Sequence, residues 1–248
     1  MTQEVIAIDG VSYVGKSSIA KALSRLTGFS YINTGHMYRA IGRLALEKKI
    51  SIHETSSIVL LAKDMEIEFQ VVDSECRTIV DGTDWTNSLD HYEIVRAASE
   101  VAAIPRVREI LTQKQQQYAN KQAIIMEGRD IGSIVFPEAR WKFFIVAAVN
   151  IRARRMYKMM SEEERHFNPD QKLLIARIEA LDEKDKNREI SPLRVSDDAI
   201  VYDNSDSPSA DQDALVLNYY MARHSEILEN ARVLSKRENK ESSVGKRF

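Results

Sequence analysis

The chain has 248 residues, 44% of them hydrophobic and 29% charged, which is enough apolar material for one well-packed domain with elaborations. With 35 basic against 37 acidic residues and a net charge of −2, no basic excess draws it to nucleic acid or to a membrane surface, so any anion site has to be local. A lone cysteine, Cys76, excludes an intramolecular disulfide, and the longest apolar run, Phe143 to Val149, is far too short to span a bilayer; a cytoplasmic monomer with neither a nucleic-acid nor a membrane partner is the expectation.

Taken in order, Val5-Ile6-Ala7-Ile8 reads as a buried strand and Ser17 to Leu26 as a helix. Between them Gly10-Val11-Ser12-Tyr13-Val14-Gly15-Lys16-Ser17 fits the phosphate-loop pattern G-x-x-x-x-G-K-[ST]. The strand delivers the chain to the loop, glycines let the backbone curl with its N–H groups inward, and the helix N-terminus adds partial positive charge beneath a phosphate. Lys16 is then expected to reach the β- and γ-phosphates and the Ser17 hydroxyl to ligate Mg²⁺, with Ser18 completing the loop.

A short strand at Tyr31-Ile32 leads into Thr34-Gly35-His36-Met37-Tyr38-Arg39. Met65, Ile67, Phe69 and Val71 alternate with polar residues, Asp73-Ser74-Glu75-Cys76 offers a turn, and Thr78 to Val80 pairs back, which predicts an antiparallel hairpin inside an inserted lobe over about 63–96. Further on, the run Ala123 to Met126 predicts a strand that opens into Glu127-Gly128-Arg129-Asp130-Ile131-Gly132, and Trp141 to Ala147 predicts the next. The densely charged stretch 152–168, with Arg152, Arg154 and Arg155, reads either as a solvated helix face or as a basic lid over phosphates. Asp182-Glu183-Lys184-Asp185-Lys186-Asn187-Arg188 ends a helix, Ala199 to Tyr202 predicts the last strand before a final helix, and 235–248 is a polar tail. Such alternation implies an α/β fold: a phosphate-loop core whose parallel sheet is covered by helices on both faces, interrupted by an inserted antiparallel lobe.

A phosphate loop alone leaves several enzyme classes open. No Asn-Lys-x-Asp guanine reader occurs, and a helicase or motor normally needs a longer chain, so small-molecule kinases remain. Such an enzyme clamps a second molecule opposite the γ-phosphate, and arginines do recur at strand ends and helix starts away from the loop. With these motifs, and with Ser99-Glu100-Val101-Ala102-Ala103-Ile104-Pro105-Arg106-Val107-Arg108 and Gly128-Arg129-Asp130-Ile131-Gly132-Ser133-Ile134-Val135-Phe136-Pro137-Glu138-Ala139, the chain resembles bacterial-type cytidylate kinases from Ile6 to about Val201.

The resemblance implies ATP-dependent phosphorylation of CMP or dCMP, with Mg²⁺ carried by ATP, in a body of three parts: the phosphate-loop core, the antiparallel insert that binds the acceptor, and a helical lid. It puts the donor on Gly10 to Ser18, the acceptor phosphate against Arg39, Arg129 and Arg188, and the cytosine against Ser99, Arg108 and Asp130. Asp185 matches the ribose contact, Thr34 joins the acceptor site, and Arg152, Arg154 and Arg155 match lid arginines that act with Lys16 in catalysis. The chemistry is coherent: guanidinium forks grip phosphate oxygens, and a carboxylate suits the cytosine amino group where uracil presents a carbonyl. Taken singly, Arg39 or Arg129 serves equally well as a partner for neighbouring acids, Arg108 as a polar-face residue, Asp130 as a turn cap and Ser99 as a helix N-cap. The chain departs from the family where Tyr13 and Val14 replace small loop residues, Asn33 an aspartate, Glu100 a glutamine and Leu181 a ribose-contacting arginine. Two other readings therefore stay open: a related kinase with a shifted acceptor, dCMP or UMP, and a nucleotide-binding regulator that kept the fold and lost turnover.

Overall fold

A computed structural model of the chain describes residues 4–72, 75–162, 165, 170–223 and 225. Its centre is a five-stranded parallel sheet in the order β2-β6-β1-β7-β8, made of β1 (Val5–Gly10), β2 (Ser30–Asn33), β6 (Ile124–Glu127), β7 (Trp141–Val146) and β8 (Ile200–Asp203). β1 is apolar almost throughout because both of its faces are covered. Ile6 and Ile8 enter one hydrophobic cluster with Leu23 and Phe143, while Val5 and Ala7 enter another with Ile124 and Met126.

The first cluster is closed by α1 (Lys16–Thr27), whose Ile19, Ala20 and Leu23 face the sheet, and by a terminal helix, α8, over 210–223. Gly28 ends α1 in the left-handed region and donates its N–H to Ser24 O at 2.9 Å. Asn33 caps α2 (Thr34–Glu47) by accepting from the His36 N–H at 3.3 Å, so the capping acceptor expected at this position is present without the aspartate charge.

The expected hairpin is there, as β3 (Ile67–Val72) and β4 (Glu75–Val80), with a third short strand β5 (Thr83–Asp84). Its turn is tighter than the sequence reading. Val72 pairs with Glu75, so Glu75 and Cys76 belong to β4, while Asp73 and Ser74 lie outside the described residues. This sheet packs into one apolar cluster with α2, α3 (Thr55–Asp64) and α5 (Pro105–Tyr118), through Met37, Ile41, Ile58, Val80, Leu89 and Leu111. α4 (Tyr92–Val101) lies along α2, where a Cβ on Gly42 would sit 3.1 Å from both Ala97 Cβ and Ala98 N.

α6 (Val149–Met159) and α7 (Gln171–Lys186) share a small core of Ala153, Met156, Met160, Leu174 and Ile178. The stretch read as a lid, 152–168, overlaps α6, and 163, 164 and 166–168 fall outside the described residues, as does the whole of 235–248. Among the described residues no helix is long and apolar enough to cross a membrane.

One glycine ties the loop to the sheet. Gly10 has φ 149°, and a Cβ there would stand 2.2 Å from the Ile145 carbonyl oxygen of the neighbouring strand β7. Gly10→Ala must therefore move backbone as well as adopt a φ that L-residues avoid. It is expected to cost about 2 kcal/mol or more, read as a fall in urea midpoint at unchanged m-value; an unshifted midpoint would mean that β7 yields freely.

Candidate active site

The phosphate loop runs from the end of β1 to α1 as the motif requires, with Gly15 at φ 96°. Tyr13 and Val14, the bulky loop residues, are both held by packing. Val14 is fully buried beneath it with Ile19 and Ile145, and Tyr13, at φ 58°, packs its ring against the α6–α7 core. Lys16 reaches back across the loop and donates to Val11 O at 2.8 Å. Burial drives its ammonium pKa down to about 7, with the Arg129 charge adding to the shift and Glu127 and Asp9 opposing it.

Four side chains from distant parts of the chain hold the loop from behind. Asp182 of α7 accepts the Ser12 N–H at 2.9 Å and Arg152 Nη1 at 2.5 Å; Arg152 also donates to Ser12 O at 3.1 Å. Asn204, just after β8, donates to Val14 O at 2.8 Å and accepts from Arg155 Nη1 at 3.0 Å, while Arg155 itself donates to Val14 O at 2.9 Å.

In front of the loop opens a cleft of about 650 Å³. All eight residues expected to hold the acceptor line it: Thr34, Arg39, Ser99, Arg108, Arg129, Asp130, Asp185 and Arg188. Arg108 and Asp130 form a buried ion pair. Arg129 donates to Asp185 at 2.8 Å and to Ser12 Oγ at 3.1 Å, and Arg188 Nη2 stands 3.2 Å from Asp185 Oδ1. Arg39 pairs with Asp90. Ser99 Oγ and Arg108 Nε are buried without a hydrogen-bond partner, which is costly unless a ligand supplies one. Ser99 lies inside α4 rather than at its start, so it is not an N-cap, and Arg108 is buried rather than on a solvated face.

The loop that carries Arg129 and Asp130 is fixed from below. Asp9, the residue before Gly10, accepts the N–H groups of Ile131 and Gly132 at 2.9 and 2.8 Å. Its pKa rises to about 6 because burial outweighs those two bonds. Thr34 Oγ1 donates to Glu127 O at 2.8 Å, and Gly128 has no room for a Cβ, which would lie 2.7 Å from that same Oγ1.

Of the three arginines read as catalytic, Arg155 alone lines the cleft. Arg152 is spent on Asp182 and the Ser12 carbonyl behind the loop, and the exposed Arg154 points off the cleft. Lys158, which was not among the expected site residues, is a second cation from this stretch on the wall, and Leu181 also lines the cleft, outside the apolar cluster formed by Leu174 and Ile178. Asp9, Asp90, Asp182 and Asn204 were likewise missed. Among the described residues no group of three or more His, Cys, Asp or Glu side chains can cage a metal. Mg²⁺ needs no such cage, since it keeps waters and takes phosphate oxygens, and the Ser17 hydroxyl on the cleft wall fits it as a single protein oxygen.

A family model described as cytidylate kinase matches residues 6–221. The chain is 40% identical over 206 residues to the cytidylate kinase of Streptococcus gordonii, covering 83% of this chain and 91% of that protein. It is 38% identical over 200 residues to the cytidylate kinase of Caldicellulosiruptor bescii (81% and 88% covered) and 33% identical over 215 residues to that of Pasteurella multocida (87% and 94%).

Breaking a buried ion pair leaves one charge unpaired, whereas breaking an exposed one does little. Asp182→Ala, which strands Arg152 and the Ser12 N–H, is expected to lose about 3–5 kcal/mol in chemical denaturation. Asp211→Ala, which frees the exposed Arg25, should stay within about 1 kcal/mol. Equal losses from the two would remove Asp182 from its role as the loop's anchor.

Proposed function

The chain belongs to the cytidylate kinase family, and from that premise we propose that it transfers the γ-phosphoryl group of ATP to CMP, with dCMP as a second acceptor, acting as a monomer in the cytoplasm. The observation that carries the acceptor is the buried Arg108–Asp130 pair beside an unpartnered Ser99 hydroxyl. In this reading the inserted lobe over 63–96 closes on the acceptor and the 152–168 stretch closes on the phosphates.

The chemistry needs no covalent intermediate. The acceptor monophosphate is largely dianionic near neutral pH, so its oxygen attacks the γ-phosphorus directly and no base has to deprotonate it. A bond forms between that oxygen and the γ-phosphorus, the bond to the β–γ bridging oxygen breaks, and ADP leaves with the electron pair. Arg39, Arg129 and Arg188 screen the acceptor's own charge and hold its oxygen in line. Lys16 and Arg155, with Lys158 at the rim, offset charge on the transferring group. Ser17 is the residue that would hold Mg²⁺, which would supply positive charge to offset part of that on the donor phosphates. Asp130 takes the cytosine amino group, Arg108 and Ser99 take O2 and N3, and Asp185 takes the ribose.

A coupled ATP-consumption assay across CMP, dCMP, UMP, AMP and GMP tests this directly. CMP should exceed UMP by at least about 100-fold in kcat/KM, because uracil leaves buried polar readers unpaired. Asp130→Asn should erode that preference chiefly by weakening CMP. Equal turnover of UMP by the unmodified chain would refute the base assignment, and ATP binding without turnover of any monophosphate would favour the regulator.

Lys16 generates a pH-dependent expectation. With its pKa lowered to about 7, the side chain is near half-charged at neutral pH in the empty loop. Bound phosphates favour the charged form and raise that pKa, so binding takes up a proton. Calorimetry at pH 7 in buffers of different ionisation enthalpy should show about 0.5 more protons taken up per ATP by the unmodified chain than by Lys16→Met. The difference should vanish below about pH 5.5, where Lys16 is already charged. No difference at pH 7 would mean that Lys16 is fully protonated before ATP arrives.

A further inference from the structure

Each arginine assigned to the acceptor already has an acidic partner, and the partners are not alike. Asp130 reads the base, and Asp185 holds both Arg129 and Arg188 while facing the ribose. Asp90 has no such duty. It pairs with Arg39 at the cleft wall, and its side chain is 43% exposed, against 14% for Asp185 and 8% for Asp130.

Nor is Asp90 a loose surface acid that meets Arg39 by chance. The preceding Leu89 is fully buried in the α2–α3–α5 cluster. Ser88 is bonded by Arg43, one turn along α2 from Arg39, and the same Arg43 guanidinium lies 4.0 Å above the Trp85 ring. The segment 85–90 is thus fastened to α2 and delivers the Asp90 carboxylate to Arg39. His36 Nε2 stands 4.0 Å from the same carboxylate oxygen, but burial holds that ring neutral, and its Nδ1 faces Thr78 Oγ1 at 2.7 Å. Among the described residues, Arg39 is the one charged partner of Asp90.

We propose that Asp90 is an intramolecular competitor for the acceptor phosphate: its carboxylate occupies Arg39 in the empty cleft, and the nucleotide's phosphate binds by displacing it. The inference rests on the reading of Arg39 as an acceptor-phosphate ligand and adds a residue that sets acceptor affinity. An exposed carboxylate–guanidinium pair is weak enough to exchange, whereas a dianion that also meets Arg129 and Arg188 holds three forks at once. After displacement the Asp90 charge remains at the rim, a few ångströms from the bound phosphate, and it recaptures Arg39 when product leaves.

The discriminating experiment is binding of CMP and of cytidine, the same nucleoside without phosphate, to the unmodified chain and to Asp90→Asn, by calorimetry at low salt. Removing one carboxylate charge near a dianion should tighten CMP by about 3- to 10-fold. Cytidine should stay within about twofold, since it has no charge to compete with. Introduced into Arg39→Ala, the same substitution should lose most of its effect, and Asp90→Ser should reproduce Asp90→Asn. Unchanged or weaker CMP binding, a parallel shift for cytidine, or a full effect without Arg39 would each overturn the competitor. Turnover of CMP by the unmodified chain with no shift in Asp90→Asn would overturn the competitor alone; CMP binding by neither protein would overturn both it and the acceptor assignment.

Discussion

A cleft built to receive two phosphorylated molecules has to be stable while empty, and that constraint organises this structure. Lys16 and the guanidinium groups of Arg39, Arg108, Arg129, Arg152, Arg155 and Arg188 converge on one loop and the cleft it faces. Left alone, they would repel one another and lose hydration. The chain answers with carboxylates placed opposite individual guanidinium groups: Asp90, Asp130, Asp182 and Asp185. Arg155 is met by the neutral oxygens of Asn204 and Val14 instead. Lys16 is answered by partial loss of its proton, an option closed to the always-charged guanidinium. A net charge of −2 is therefore no sign of a weak anion site, since the acids that balance the sum are the ones the site needs.

These acids fall into two kinds, which differ in whether they line the cleft. Asp182, with a side chain 6% exposed, is bonded to a loop N–H as well as to Arg152, so no ligand reaches it without dismantling the loop. Asp90, Asp130 and Asp185 line the cleft and face whatever enters it. The same guanidinium chemistry thus serves structure at Arg152 and recognition at Arg39 and Arg129, and whether the partner faces the cleft decides which.

The extent to which this was legible in the sequence follows from how each feature is encoded. The phosphate loop and the apolar runs of β1, β6, β7 and β8 are local patterns, and the structure has them where the periodicity puts them. The acceptor residues were recognised through motifs around them, and all eight line one cleft. Strand order carries no local signature, and neither do Asp9, Asp182 and Asn204, whose partners are backbone groups 122 residues or more away in the chain. Any acid or amide can accept a backbone N–H, so residue type says nothing about it. That Arg155 lines the cleft while Arg152 and Arg154 do not was illegible for a different reason. All three sit in one run of like charges, and composition does not tell which of them the fold turns toward the cleft.

The loop departures show how such a site absorbs change. A side chain at φ 58° costs Tyr13 on the order of 1–2 kcal/mol relative to glycine. Its ring recovers part of this by burial against the α6–α7 core, and Val14 recovers more by burial under the sheet. Neither side chain adds charge to the phosphate site. Size instead changes how firmly the loop is held. With small residues at both positions it would be fixed by its own turns and by Asp182 and Asn204; here two side chains also staple it to the sheet on one side and to α6 and α7 on the other. A loop so held is ordered before any phosphate arrives, and the ordering cost that a flexible glycine loop meets on binding has been met in folding.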